Sequence, residues 1–220
     1  NKKTADNNIM IEEIRISQVE LYKIFIPLKE PFVISLGPIP NAENVLVMIR
    51  TDQGITGFGE CSPFMSINGE SMDTCFAVGQ YFARLFKGKN ALAIEERVHD
   101  MDRLIYGNSS IKSAFDMALY DIISQHAGLP LYKYLGGNRN KTIVTDYTVS
   151  IGDPAKMAED AVNIKQQGYP AIKIKLGRDG KVDVERIRAI RQAVGPEIPL
   201  RIDANQGWAV EEAIETLKAL

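Results

Sequence analysis

The chain reads as an α+β domain followed by the opening part of a β/α barrel, on three observations. Apolar residues alternate at period two from Ile11 to Glu60, and a helical period takes over from about Ser71. Beyond Gly136-Gly137, short strands and helices alternate, which demands parallel pairing because each crossover helix returns the chain to the same end of the sheet. The division falls after residue 137, giving domains 1–137 and 138–220.

In chain order, Ile14, Ile16, Val19, Leu21, Ile24 and Ile26 mark a first strand, Val45 to Arg50 a second and Ile55 to Glu60 a third, with Asp52-Gln53-Gly54 as a turn. Together they predict an antiparallel meander. Pro31 to Pro40, punctuated by Gly37, Pro38 and Pro40, reads as a loop, and so does Cys61 to Gly69. Ser71 or Asp73 can cap a helix through about Phe86. A second helix runs from about Ala93 to Ile105, and Asn108 or Ser109 caps a third that ends at Gly128. In the second region, strands are expected at Thr142–Ser150, Ala171–Leu176 and Leu200–Ala204. The helices between them start at Asp153-Pro154 and at Asp183 and end at Gly168 and Gly195. The last helix, Val210 to Leu220, stops with its apolar stripe intact and without a terminal Gly, Asn or Pro. Three βα units cannot close a barrel that needs about eight. The expectation is a TIM-type barrel truncated after about three βα units, and hence a piece of a longer protein.

With 220 residues, 45% of them hydrophobic, the chain can bury a sizeable core. A formal charge of −2, with Lys and Arg spread along the chain, gives no footprint for nucleic acid or an anionic membrane, so small molecules are the expected partners. Self-association into a homo-oligomer is compatible with the sequence. No apolar run approaches the roughly 20 residues that span a bilayer, and the polar stretch Asn1 to Asn8 is unlike a secretion signal. Cys61 and Cys75 read as free thiols, and the default compartment is cytoplasmic. The chain does not begin with Met, so removal of a preceding segment stays open.

Strand residues of a barrel alternate between the helix layer and the interior, and both normally take apolar side chains. Here Ile172, Ile174 and Leu176 fall on one face and Lys173 and Lys175 on the other; Leu200, Ile202 and Ala204 oppose Arg201, Asp203 and Asn205; Asp146, Thr148 and Ser150 share a face. Turning the apolar faces toward the helices sends every polar group inward, the C-terminal ones toward the barrel mouth where active sites lie. Two neighbouring buried lysines are costly, and their proximity and desolvation are expected to depress the pKa of at least one, giving a general base. Asp203 supplies a hard oxygen of the sort Mg²⁺ prefers. The alternative is an edge strand with both lysines in water and Asp203-Ala204-Asn205 as a turn. Arg201 reads as structural, neutralising Asp203 or Asp146.

Ser113 to Asp121, Leu129 to Gly137, the strand Lys173-Ile174-Lys175 and the segment Ile202 to Trp208 resemble, in this order, the motifs of the enolase superfamily in its muconate-lactonizing (mandelate racemase/muconate lactonizing enzyme) subgroup. The resemblance implies a capping domain over residues 1–137 and a Mg²⁺-dependent removal of a proton α to a carboxylate, chemistry for which the superfamily is a standard example. It implies Lys175 as the acid/base, Lys173 as its electrostatic helper and a contact for the substrate carboxylate, Asp203 as a metal ligand, Asn205 in support, and Thr148 in contact with substrate. Phe32 lies in a capping-domain loop that would close over the substrate. Two further carboxylate ligands and an opposing lysine would lie beyond Leu220, leaving the chain as written inactive. The spacing from Thr148 to Lys175 with Gln206-Gly207-Trp208 most resembles dipeptide epimerases of the L-Ala-D/L-Glu type. Members that read Glu carry an arginine in the first capping loop, whereas Phe32 to Pro40 holds no basic residue, so a dipeptide with a small or apolar second residue is expected. Muconate cycloisomerase, N-succinylamino acid racemase and o-succinylbenzoate synthase share the chemistry. A Schiff-base aldolase using Lys175, or a non-catalytic barrel, are rivals of other classes. His99, His126, Glu60 and Ser62 read as structural or solvated, and Trp208 as either packing or site.

Overall fold

Contacts in the computed structural model, which describes residues 13–139 and 141–220, divide the chain into two units: Asn1–Ile26 with Ala42–Arg139, and Pro27–Asn41 with Asn140–Leu220. The sheet of the first unit has the order β1-β2-β3, formed by β1 (Ile16–Ile34), β2 (Gly37–Thr51) and β3 (Thr56–Cys61). Val45 lies opposite Cys61, and Arg50 opposite Thr56, in the antiparallel β2–β3 pair. Pro31 to Pro40 is not the expected loop. Its ends are strand, and only Ser35-Leu36 turns, so β1 and β2 form one long hairpin. Prolines two residues apart withdraw N–H groups from one edge only. Strand β3 pairs with β2 only from Val45 to Arg50, so Pro38 and Pro40 take no amide from that ladder. The hairpin end, Pro27–Asn41, clusters with the second unit, unlike the contiguous division after residue 137.

Five helices follow: α1 (Met65–Asn68), α2 (Met72–Phe86), α3 (Ile94–Leu104), α4 (Ser109–His126) and α5 (Leu131–Tyr134). The single turns α1 and α5 are too short for a period to reveal. Helix α2 starts in a capping box between Ser71 and Thr74. Helix α4 has no such local cap. Instead the buried Glu70 carboxylate accepts from the Ser110 amide at 3.1 and 3.2 Å and from the Cys75 thiol at 3.4 Å. Burial pushes the Cys61 and Cys75 thiols up, and both remain free. The core joins Val45, Val47 and Ile49 of the sheet to Phe82, Phe86, Ala114, Phe115 and Ala118 of the helices, with Phe115 edge-on to both other rings.

Strand β3 meets α4 through glycines. A Cβ on Gly59 would stand 1.8 Å from the Ala114 carbonyl oxygen, and one on Gly57 2.1 Å from that of Ala118. Backbone atoms cannot yield as a flexible side chain does. Gly59→Ala is therefore expected to cost about 3 kcal/mol, read as a fall in the urea unfolding midpoint at unchanged slope.

The second unit alternates β4 (Tyr147–Val149), α6 (Pro154–Gln166), β5 (Ile172–Lys175), α7 (Gly180–Val194), β6 (Leu200–Asp203) and α8 (Val210–Ala219), with β4, β5 and β6 parallel in that order. Ile172, Ile174 and Leu176 are fully buried against Met157, Ala161 and Ile164 of α6 and Ile190 and Val194 of α7. The first strand is shorter than the expected Thr142–Ser150. β5 begins at Ile172, opposite Tyr147, so earlier residues have no partner and Ile143 and Val144 are exposed. Asp183 does not cap α7; Asp179 does, accepting from the Lys181 and Val182 amides. No helix among the described residues is long and apolar enough to cross a membrane.

Candidate active site

Parallel register brings the polar strand residues together in rows. Thr148 stands beside Lys173 and Lys173 beside Arg201; one pleat further on, Lys175 stands beside Asp203. Because partners in register share a face, the apolar side chains of β5 go to the helices and both lysines to the opposite side. Lys175 is 7% exposed.

At the ends of β5 and β6, Asp203 collects the donors. Its Oδ2 lies 2.7 Å from Lys175 Nζ and 2.8 Å from Lys173 Nζ, while Oδ1 accepts from the Asn205 amide at 2.9 Å. Lys175 Nζ also donates to Asn205 Oδ1 at 3.1 Å, and Asn205 reaches this position in the left-handed region, φ 46°. Burial pushes the Asp203 carboxyl up, but the bonds from Lys173, Lys175 and the Asn205 amide outweigh it and hold the group well below the usual carboxylate range. The two lysines therefore do not face each other unscreened. They share an anion, and the three groups together carry about one positive charge, a setting that favours an anionic ligand.

Phe32 of the hairpin end lies over this cluster, its ring centre 5.7 Å from Lys175 Nζ. Phe32 and Thr148 also border a cleft of about 800 Å³ with Leu28, Tyr147 and Asn163; the lysines and Asp203 do not line it. Arg201 pairs with Asp146 at 2.8 Å and is largely exposed, the structural role expected of it. Glu60 is exposed and accepts from Asn44. Trp208, left between packing and site, does both: it packs against the second core and donates its indole N–H to Asp183. Asp183, which the sequence offers only as a helix cap, is a buried acceptor beside the strand ends. Its place four residues past the true cap, Asp179, was the only local sign.

As for Mg²⁺, Asp203 and Asn205 offer the hard oxygens it prefers. They fit as one carboxylate corner of a site with a neighbouring amide oxygen. Among the described residues no group of three or more His, Cys, Asp or Glu is arranged to hold a metal ion.

Residues 17–136 match the model of the mandelate racemase/muconate lactonizing enzyme N-terminal domain, and residues 156–220 that of the enolase C-terminal domain-like family. The D-Ala-D/L-Ala epimerase of Cytophaga hutchinsonii is 61% identical over 93% of this chain, and the L-Ala-D/L-Glu epimerase of Bacillus subtilis is 42% identical over 94%. The chain spans 56% and 57% of their respective lengths. Among solved structures, the dipeptide epimerase from Cytophaga hutchinsonii complexed with Mg and the dipeptide D-Ala-L-Val superposes with a TM-score of 0.92, at 60% identity, over 95% of this chain and 56% of that one. The dipeptide epimerase from Enterococcus faecalis complexed with Mg and L-Leu-L-Tyr superposes with a TM-score of 0.90, at 38% identity, over 95% and 58%.

Proposed function

The chain belongs to the mandelate racemase/muconate lactonizing enzyme family of the enolase superfamily, and from that premise we propose that the intact protein is a Mg²⁺-dependent dipeptide epimerase. On this reading residues 138–220 are the start of a TIM-type barrel and residues 1–137 its capping domain. The observation that carries the proposal is the convergence of Lys173, Lys175 and Asp203 within 2.8 Å at the ends of adjacent parallel strands.

When bound, Mg²⁺ supplies a Lewis acid that holds the substrate carboxylate and stabilises the charge developing there. Lys173 contributes a second positive charge beside that carboxylate. Lys175, the more buried lysine, takes the α-proton onto Nζ after releasing one of its own protons to solvent, and Asn205 orients the amine through its side-chain oxygen. Return of the proton to the opposite face inverts the centre, a step that takes a second acid on the far side of the substrate. Thr148, in register with Lys173, contacts the dipeptide. Phe32 and the segment Phe32 to Pro40, which holds no basic residue, suit a small or apolar second residue, in keeping with the D-Ala-D/L-Ala relative and the D-Ala-L-Val complex. We place the protein in the cytoplasm, where its buried free thiols stay reduced.

The test is a dipeptide library incubated with the intact parent and Mg²⁺ in D₂O. Deuterium is expected at the α-carbon of the residue bearing the carboxylate, fastest for small or apolar residues. Exchange with no dipeptide, together with turnover of a succinylamino acid or muconate, overturns the assignment. Borohydride trapping of Lys175 on a carbonyl substrate would point instead to an aldolase.

A further inference from the structure

We propose that Asp183 is a positioning residue that fixes the distance between Lys175 and Asp203, acting through Gly177 and Trp208. The proposal rests on the roles given above to Lys175 and Asp203. Asp183 is fully buried in the first turn of α7. Its Oδ2 accepts from the Gly177 amide and from the Trp208 indole N–H, both at 2.8 Å, and its Oδ1 accepts from Arg186 Nη1 at 2.7 Å. Arg186 in turn donates from Nε to the Gly152 carbonyl at 2.9 Å. Gly152, Gly177 and Trp208 follow β4, β5 and β6 respectively. One buried ion pair therefore ties together the loops that leave all three strands.

The loops after β5 and β6 also interlock without side chains. Gly177 has φ +102°, and a Cβ there would lie 2.3 Å from the Ala204 carbonyl oxygen; a Cβ on Gly207 would lie 2.0 Å from that of Gly177. Gly177 stands two residues after Lys175, and Ala204 and Gly207 flank Asn205. Any shift at Asp183 is thus passed to the base and to the metal ligand. Removing this carboxylate alone would leave Arg186, the Gly177 amide and the Trp208 indole N–H without their acceptor, so the three loops hold their places only while Asp183 binds all three donors. Misplacement of reacting groups by about 1 Å can cost on the order of 10²-fold in rate.

Asp183→Asn and the milder Trp208→Phe, made in the intact parent, test this, with Gly59→Ala as a destabilised control in the other unit. Both site variants are expected to weaken binding of Mg²⁺ alone, read by calorimetry, by about 10- to 100-fold, and to lower kcat about as much with the dipeptide KM within about threefold. Amide exchange at Gly177 and Asn205 in the metal-free protein should quicken. Gly59→Ala should lower Tm and leave Mg²⁺ affinity unchanged. If Asp183→Asn does not fold, Trp208→Phe decides. Folded variants with reduced Tm but wild-type Mg²⁺ affinity, kcat and amide exchange overturn the proposal. If the wild type epimerises no dipeptide, the functional assignment fails, while Mg²⁺ affinity and amide exchange still report on Asp183.

Discussion

Lys175→Ala in the intact parent is expected to lower α-deuterium exchange by about 10³-fold or more while moving the dipeptide KM far less. The reason lies in what each lysine touches. Removing Lys175 leaves Lys173 on Asp203 Oδ2 at 2.8 Å, so the carboxylate stays paired and the strand ends keep an anchor. What disappears is the one amine that is buried, oriented by Asn205 and faced by Phe32. Lys175→Arg sharpens the test, because guanidinium keeps the charge but cannot give up its proton near neutral pH. If Lys175 acted only through charge, the arginine variant would keep much of the activity. As a base, it loses as much as the alanine variant. Exchange followed by NMR at saturating dipeptide separates the two.

Asp203→Asn is the second large effect, and it has two parts. Mg²⁺ affinity is expected to fall by roughly 10²-fold or more, since even residues that only support a metal ligand cost about 10- to 100-fold. Stability falls too, by about 2 kcal/mol, because two partly buried ammonium groups lose their shared anion; a fully buried pair would lose about 3–5 kcal/mol. The pH dependence has a definite sign. The Asp203 carboxyl is held below its ordinary value of 3.8 in the folded state, so its contribution is complete above that value and fades as pH falls toward the lower folded value. Urea midpoints of wild type and Asp203→Asn should therefore differ by a constant amount at pH 7 and 5 and converge below pH 3.8.

Period and punctuation make much of this molecule legible in the sequence alone. The alternation of Ile172, Ile174 and Leu176 against Lys173 and Lys175 was enough to assign faces, because both environments of a barrel strand are apolar by default. What could not be read depended on partners distant in sequence. Pro38 and Pro40 read as loop punctuation because nothing local shows that the β3 ladder stops at Val45, short of both. Ile143 and Val144 looked like strand until β5 proved to start opposite Tyr147. The lysines looked mutually repulsive because nothing local shows that register delivers Asp203 between them. Asp183 looked like a helix cap because its three donors, Gly177, Arg186 and Trp208, meet it only in the folded unit.

On the proposed function, Lys175 and Asp203, joined at 2.7 Å, separate into a base and a metal ligand when substrate binds. A crystal structure of the intact parent with Mg²⁺ and an apolar dipeptide measures this directly. The predicted result is an Asp203 carboxylate oxygen about 2.0–2.1 Å from the metal, with Lys175 Nζ released from it and about 3–3.5 Å from the substrate α-carbon. A metal bound without Asp203, or Lys175 still paired to that carboxylate with the α-carbon out of reach, would contradict it.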